Sequence, residues 1–500
     1  MSQTQRERPF EITAEEMLSL ATELAGQISG NDAYSDAISA IVGEYLQRGN
    51  VDRAAELADT IEDPFSRDRL LVRIAERCAE LDDDDYALQL ADAIVEESLR
   101  QQALTLIGTQ KVVKGQIKKA EAVAAELIHP DPILVAIAVS NFTDAAELAF
   151  TVAQLEDATT AAYGLIEAAE AKVDAENTDQ AVDFLTCAAE LCNRIEHPEE
   201  KARTLIDLGN CFAAASRRDL AISTLEAGRQ AASAIDSIRR DGLLAAVAAG
   251  FLRAGSEELA ERTLDLISDK TQLAAALKSM ADEYARLGRV TDALEALNEA
   301  DAILRGERES ERRDSRASFS VRGAVAIAFA ALNKAEIAIE IGESLPDDDI
   351  AANTLAGIAA ELGKIGDQQA AWQAVMAIKD DAKRLFALIT IFDQLEKAFP
   401  EIAKEFLEKA GQLADAPERF TVRLTANLEI ADRYLAIGEV SAAANKCRET
   451  LQIFSNVRDV SIQAATLARF ARLAAKGSFL PSEEESRLLS ELRMQTLRSN

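Results

Sequence analysis

Six glycines in this chain stand in one recurring frame, with an alanine five residues later. Gly49 precedes Ala54, Gly115 precedes Ala120 and Gly255 precedes Ala260; Gly288, Gly366 and Gly438 precede Ala293, Ala371 and Ala443. With only 22 glycines in 500 residues, the recurrence needs a physical cause. Apolar residues stand 11, 8, 7 and 4 positions before Gly49, Gly255, Gly288 and Gly366, and before Gly438 the same register holds Asn427, Ile430, Ala431 and Tyr434. Before Gly288 they are Leu277, Met280, Ala281 and Tyr284; before Gly49 they are Ile38, Ile41, Val42 and Tyr45. That spacing is one face of an α-helix. Beyond the glycine, Ala293, Leu297 and Ala300 lie on one face of a second helix. Glycine ends the first helix because it adopts the left-handed conformation without a Cβ clash. The alanine falls where the two helix axes approach, and a larger side chain would push them apart.

Other units keep the alanine without the glycine. Asp82, Glu176 and Ser216 take the turn position ahead of Ala87, Ala181 and Ala221. The anchors then run Ala54, Ala87, Ala120, Ala146, Ala181, Ala221, Ala260, Ala293, Ala338, Ala371, Ala403 and Ala443. Most are 32–40 residues apart, which is the period of stacked helical hairpins. The composition agrees. Alanine is the commonest apolar residue, and glycine and proline are scarce, so helix is favoured and sheet is not. The expected fold is an all-α solenoid of antiparallel helix pairs. A tail and capping helix cover 1–31, the array covers 32–304 and 317–460, a charged insert covers 305–316, and capping helices fill 461–500.

The stretch "LKSMADEYARLGRVTDALEALNEA" (277–300) resembles a tetratricopeptide repeat, with Ala281, Tyr284, Gly288, Ala293 and Ala300 in that family's pattern. It departs from the pattern in lacking an early tryptophan, in carrying aliphatic residues on the second helix and in its variable unit length. The resemblance implies a right-handed superhelix whose concave groove, lined by first helices, binds peptides or helices of other proteins.

Positions 10 and 6 before the turn should face that groove. They hold Ala245 and Ala249, Lys278 and Asp282, and Ala356 and Ala360 in three units. The resemblance ties capture of a terminal carboxylate to a lysine and an asparagine at these positions. Here Asn210 sits with Ile206, and Lys278 with Asp282. Small apolar residues suit an amphipathic helix in the groove. They equally suit a tightly curled array that touches itself.

The insert "RGERESERRDSR" (305–316) carries two readings. It extends a solvated helix through alternating charges, or Arg308, Arg312 and Arg313 form a docking loop for an acidic partner. "IHPDPILVAIAVSNF" (128–142) holds two prolines, which predict a short first helix and a kink.

Little in the chain suits catalysis. The two histidines, His129 and His197, each precede a proline at a unit boundary. The acidic runs at 82–85 and 346–349 suit helix N-termini. The five cysteines fall in apolar registers without a metal-binding spacing, as buried thiols in a reducing compartment do. Trp372 adjoins an anchor and reads as packing. The N-terminus has no apolar signal segment, and no apolar run is long enough to span a bilayer. A net charge of −32 opposes nucleic-acid binding. The expectation is a cytoplasmic, non-enzymatic protein-binding scaffold without a cofactor. The alternatives are a peptide- or ligand-sensing regulatory protein and a helical-repeat enzyme.

Overall fold

The computed structural model describes residues 13–142, 144–307, 315–454, 456–478 and 481–499. Among these residues there are 27 α-helices and no strand. In chain order, α1 (Ala14–Ala25) is followed by the hairpins α2 (Asn31–Gln47) and α3 (Val51–Ala58), α4 (Pro64–Glu80) and α5 (Asp84–Ala93), and α6 (Glu97–Val113) and α7 (Ile117–Ala124). Next come α8 (Asp131–Ser140) and α9 (Ala145–Val152), α10 (Ala158–Asp174) and α11 (Thr178–Cys192), and α12 (Pro198–Ala214) and α13 (Arg218–Ser233). The chain goes on with α14 (Arg239–Arg253) and α15 (Glu257–Leu264), α16 (Lys270–Arg286) and α17 (Val290–Glu307), and α18 (Ser315–Ala331) and α19 (Ala335–Glu343). The remaining hairpins are α20 (Asp348–Lys364) and α21 (Gln368–Ala377), α22 (Asp381–Leu395) and α23 (Pro400–Leu413), and α24 (Phe420–Ala436) and α25 (Val440–Phe454). α26 (Val460–Gly477) and α27 (Glu483–Ser499) close the chain. The described chain is an all-α array of repeated antiparallel helical hairpins.

The turns explain the glycine–alanine spacing. All six turn glycines have positive φ, between 70° and 83°. Asp82, Glu176 and Ser216 are forced into the same left-handed conformation, and so is Asn333, five residues before Ala338. Each turn closes with the same hydrogen bond, from the residue after the turn to the carbonyl four residues before it. Arg289 N–H reaches Tyr284 O at 2.8 Å, and Arg217 N–H reaches Phe212 O at 2.8 Å. This six-to-one bond satisfies a carbonyl the helix end would leave bare.

Four residues after the second-helix cap sits the alanine, in every hairpin but α8–α9. Eleven of the twelve expected anchors are fully buried. The exception is Ala146, which is exposed. Asp144 caps α9, accepting from the N–H groups of Ala146 and Glu147 at 2.9 Å each. The helix therefore starts later than the sequence spacing implied, and buried Leu148 takes the anchor position.

Successive hairpins are joined by a device the sequence did not advertise. A buried aspartate near the start of one first helix accepts backbone N–H groups from the loop that opens the next. Asp68 takes those of Val95 and Glu96, each at 2.8 Å. Asp241 takes those of Ser268 and Asp269 at 2.8 and 2.7 Å, and Asp131 takes that of Asp157 at 2.5 Å.

The contacts form two compact units. One comprises Met1–Ile107 with Ile378–Asn500, the other Gly108–Ala377. Within the first, the terminal segments read from sequence as separate caps pack on each other. α26 stacks between α24 and α2 as a first helix would, and α1 lies along it in the place of a second helix. Met17, Leu18, Leu20, Ala21 and Leu24 of α1 and Ala464, Ala468, Ala471 and Ala474 of α26 are buried there. Arg48 donates to the Ala471 carbonyl at 3.1 Å, and Arg493 pairs with Glu23 at 2.8 Å. Within the second unit, the buried pair Arg322–Asp301, 2.8 Å, ties α18 to α17. Among the described residues no helix is long and apolar enough to cross a membrane.

Candidate functional site

The first helix α8 has 10 residues, where its neighbours α6 and α10 have 17 each. Seven missing residues shorten it by roughly 10 Å. Its start is fixed by Pro130 at the cap and Pro132 in the first turn, since proline fits there but cannot donate to an earlier turn. Beyond its end, Phe142 leaves the helix and packs edge-on against Phe184 of α11, ring centroids 5.0 Å apart.

Two glycines let this short helix sink between its neighbours. A Cβ on Gly108 of α6 would collide with Ile133, and one on Gly164 of α10 would stand 2.7 Å from Val135 Cγ1. Because α8 is both short and deeply seated, the second unit has a hollow of about 780 Å³ between α6, α8 and α10. That lies in the usual size range of ligand sites, about 300–1,000 Å³.

The walls of the hollow differ. α6 and α8 supply Val112, Val113, Val135, Ala136 and Val139. Val113 is 80% exposed, a large cost-bearing apolar surface beside the cavity. α10 supplies Thr159, Thr160, Tyr163 and Glu167. Thr160 Oγ1 is occupied, donating to Asp157 at 2.6 Å. The Tyr163 hydroxyl lies beside Asp207 and Thr204 of α12, and burial holds it above the usual phenol range. Burial also pushes the Asp207 carboxyl above the usual carboxylate range; Glu170 adds to the push and Arg203 opposes it. Cys211 donates its thiol to Glu170 Oε1 at 3.3 Å, and burial with that carboxylate raises the thiol to about 12.

The groove positions singled out from sequence lie elsewhere in the second unit. Ala245 and Ala249 on α14 are each 8% exposed, Ala356 on α20 is 6% exposed and Ala360 is fully buried, so these four present almost no surface. Lys278 and Asp282 on α16 are accessible and pair with each other at 2.6 Å. Arg308, Arg312 and Arg313 lie outside the described residues. His129 and His197 are exposed at junctions between hairpins, the latter at the cap of α12. Asp83 and Asp347 cap α5 and α20 through their side chains. All five cysteines are buried free thiols, raised by burial to about 11 or 12. Trp372 is half-buried on α21. Among the described residues no group of three His, Cys, Asp or Glu side chains is placed to hold a metal ion.

The prolines of α8 announced the short helix in the sequence, but not the hollow that its shortness leaves. The hollow also needed Gly108 and Gly164, whose role appears only once their packing partners are known.

No protein-family model matches this sequence, and no curated protein does. Among solved structures, the chain is similar to a protein from Thermococcus onnurineus, at 15% identity and a TM-score of 0.25, over 80% of this chain and 98% of that one. It is similar to the Rap protein complexed with competence and sporulation factor, at 13% identity and a TM-score of 0.26, over 78% of this chain and 98% of that one. It is also similar to the quorum sensor NprR from B. thuringiensis, at 13% identity and a TM-score of 0.24, over 72% of this chain and 99% of that one. Superpositions at these scores are loose, and the assignment of the fold stands on this chain's own helices and turns.

Proposed function

We propose that the protein is a non-enzymatic scaffold that binds an apolar segment of another protein, and that the hollow between α6, α8 and α10 is its seat. One observation carries this reading: an open apolar hollow of about 780 Å³ on the first-helix face, beside the exposed Val113. Apolar surface left in water at that scale is repaid when a partner covers it, at about 25 cal/mol per Å². An amphipathic helix laid along first helices fits such a surface. The net charge of −32 disfavours nucleic acid as the partner, and the five buried thiols suit a reducing cytoplasm.

The test is fluorescence anisotropy with a labelled 18-residue amphipathic helix of leucine and glutamine. The full chain is compared with V113N/V139N, whose substitutions wet the hollow without adding charge. Binding should weaken at least tenfold in the variant at unchanged helicity, since each valine contributes about 1.5–3 kcal/mol when covered. Equal binding by both proteins would discard the hollow as the seat.

A further inference from the structure

We infer that α1 is an exchangeable helix: the face of α26 that holds it is a helix-binding site that accepts α1 from a second copy of this chain. α26 has the register of a first helix. Leu467, Phe470, Ala471 and Ala474 stand 11, 8, 7 and 4 positions before Ser478, which is left-handed with φ 51°. The next helix, α27, carries Glu483 five residues after that turn, where a second helix carries its alanine. α1 packs along α26 instead. Every other second helix, from α3 to α25, follows its first helix after three or four residues. α1 ends at Ala25 and α26 begins at Val460, so no turn joins them. Among the described residues α1 is tied to the array only by its connector to α2, residues 26–30.

The fit between α1 and α26 is particular to this pair. Four residues before the turn, the first helices α2, α14, α16, α20 and α24 carry Tyr45, Phe251, Tyr284, Leu362 and Tyr434, and their second helices are small at the anchor. Here the sizes are exchanged. Ala474 takes the first-helix position, and Met17, four residues after the Thr13 cap, takes the anchor. Close packing makes such a large-on-small fit selective, so the chemistry this face accepts is that of α1 itself. α1 also starts without a preceding helix. The Glu16 N–H donates to Thr13 Oγ1 at 3.2 Å, and the Thr13 N–H donates to Glu16 Oε2 at 2.7 Å. The polar part of the seam is less complete. Glu15–Arg48 at 3.4 Å and Glu23–Arg493 at 2.8 Å are ion pairs of α1. Glu23 Oε2, Glu44 Oε2 and the Nε atoms of Arg469 and Arg472 are buried without a hydrogen-bond partner among the described residues. Each is a desolvation cost that opening relieves. A helix that caps itself, fits one face and hangs on one connector meets the conditions for reciprocal exchange between copies.

The experiment mixes two variants of the full chain, each spoiled on one side. L18N/L20N keeps the α26 face and loses the helix that fills it. A471F keeps α1 and overfills the face. Each alone should sediment as a monomer. Mixed in equal amounts, they should form a one-to-one dimer of twice that mass. No mixed dimer from two chains of native helicity would overturn the inference. So would self-association of L18N/L20N alone, which would mark the α26 face as merely sticky. A further variant leaves both faces intact. Deleting residues 27–29 leaves a connector of two residues, about 7 Å at full stretch, shorter than the three-residue link between α5 and α6. α1 then cannot return to its own α26, and the chain should be a dimer that added L18N/L20N turns back into a monomer. A monomer with freely exchanging α1 amides would also overturn the inference.

Discussion

At the scale of single residues, the turns carry the clearest cost. Glu176 and Ser216 hold φ near 58° and 59°, where a side chain costs about 1–2 kcal/mol. Glu176→Gly should therefore raise the stability of the α10–α11 hairpin by about 1 kcal/mol, read as slower amide exchange in those two helices. Gly288→Ala should lower that of α16–α17 by a similar amount. A second residue pays a different penalty. Asn427 is fully buried on α24, and both ends of its amide lack a partner. It stands in the register that holds Leu244, Leu277 and Leu355 in other units. Asn427→Leu should stabilise α24 by about 1–3 kcal/mol, measurable by the same exchange experiment. The turn positions were legible from the sequence because one backbone conformation selects one residue type at a fixed distance from another. Asn427 was not, since its neighbours in space come from other repeats.

At the scale of helices, the buried aspartates set how one hairpin registers on the next. Burial works to raise the Asp68 carboxyl, but the Glu96 N–H, Arg67 and the Val95 N–H together hold it below its ordinary range. Its contribution to stability is then fully present above the unfolded carboxylate's pKa, and is lost as pH falls through the lower folded value. Asp68→Ala leaves two backbone N–H groups buried without a partner. It should loosen the α5–α6 connection by about 2–4 kcal/mol at neutral pH, seen as early exchange of Val95 and Glu96. The wild-type chain should show the same early exchange only in strong acid. The helices themselves were legible, since their periodicity is local. The aspartate link and the hollow above α8 were not, since each is a relation between repeats rather than within one. Leu148 in place of Ala146 shows the same limit: the alanine was present at a plausible spacing, but the cap at Asp144 decided where the helix began.

At the scale of the molecule, the first unit is assembled from both ends of the chain. Along its seam, Arg472 of α26 pairs with Asp432 at 3.4 Å and approaches Glu44 of α2 at 3.6 Å. Burial pushes the Glu44 carboxyl up to about 7, against the pull of Arg472, Arg48 and Arg469. A raised carboxyl contributes stability that is complete below its unfolded pKa, near 4.5, and lost as pH rises through 7. Amides of α2 and α26 should exchange more slowly at pH 5.5 than at pH 8 once intrinsic rates are divided out, and Glu44→Gln should flatten the difference. The seam has a further consequence in the order of synthesis. Synthesis runs from the N-terminal side, so Met17, Leu18, Leu20 and Leu24 are made long before the alanine face of α26 that shelters them. During that interval α1 carries a greasy face with nowhere to dock, and the seam closes only once the chain has passed through every hairpin between them.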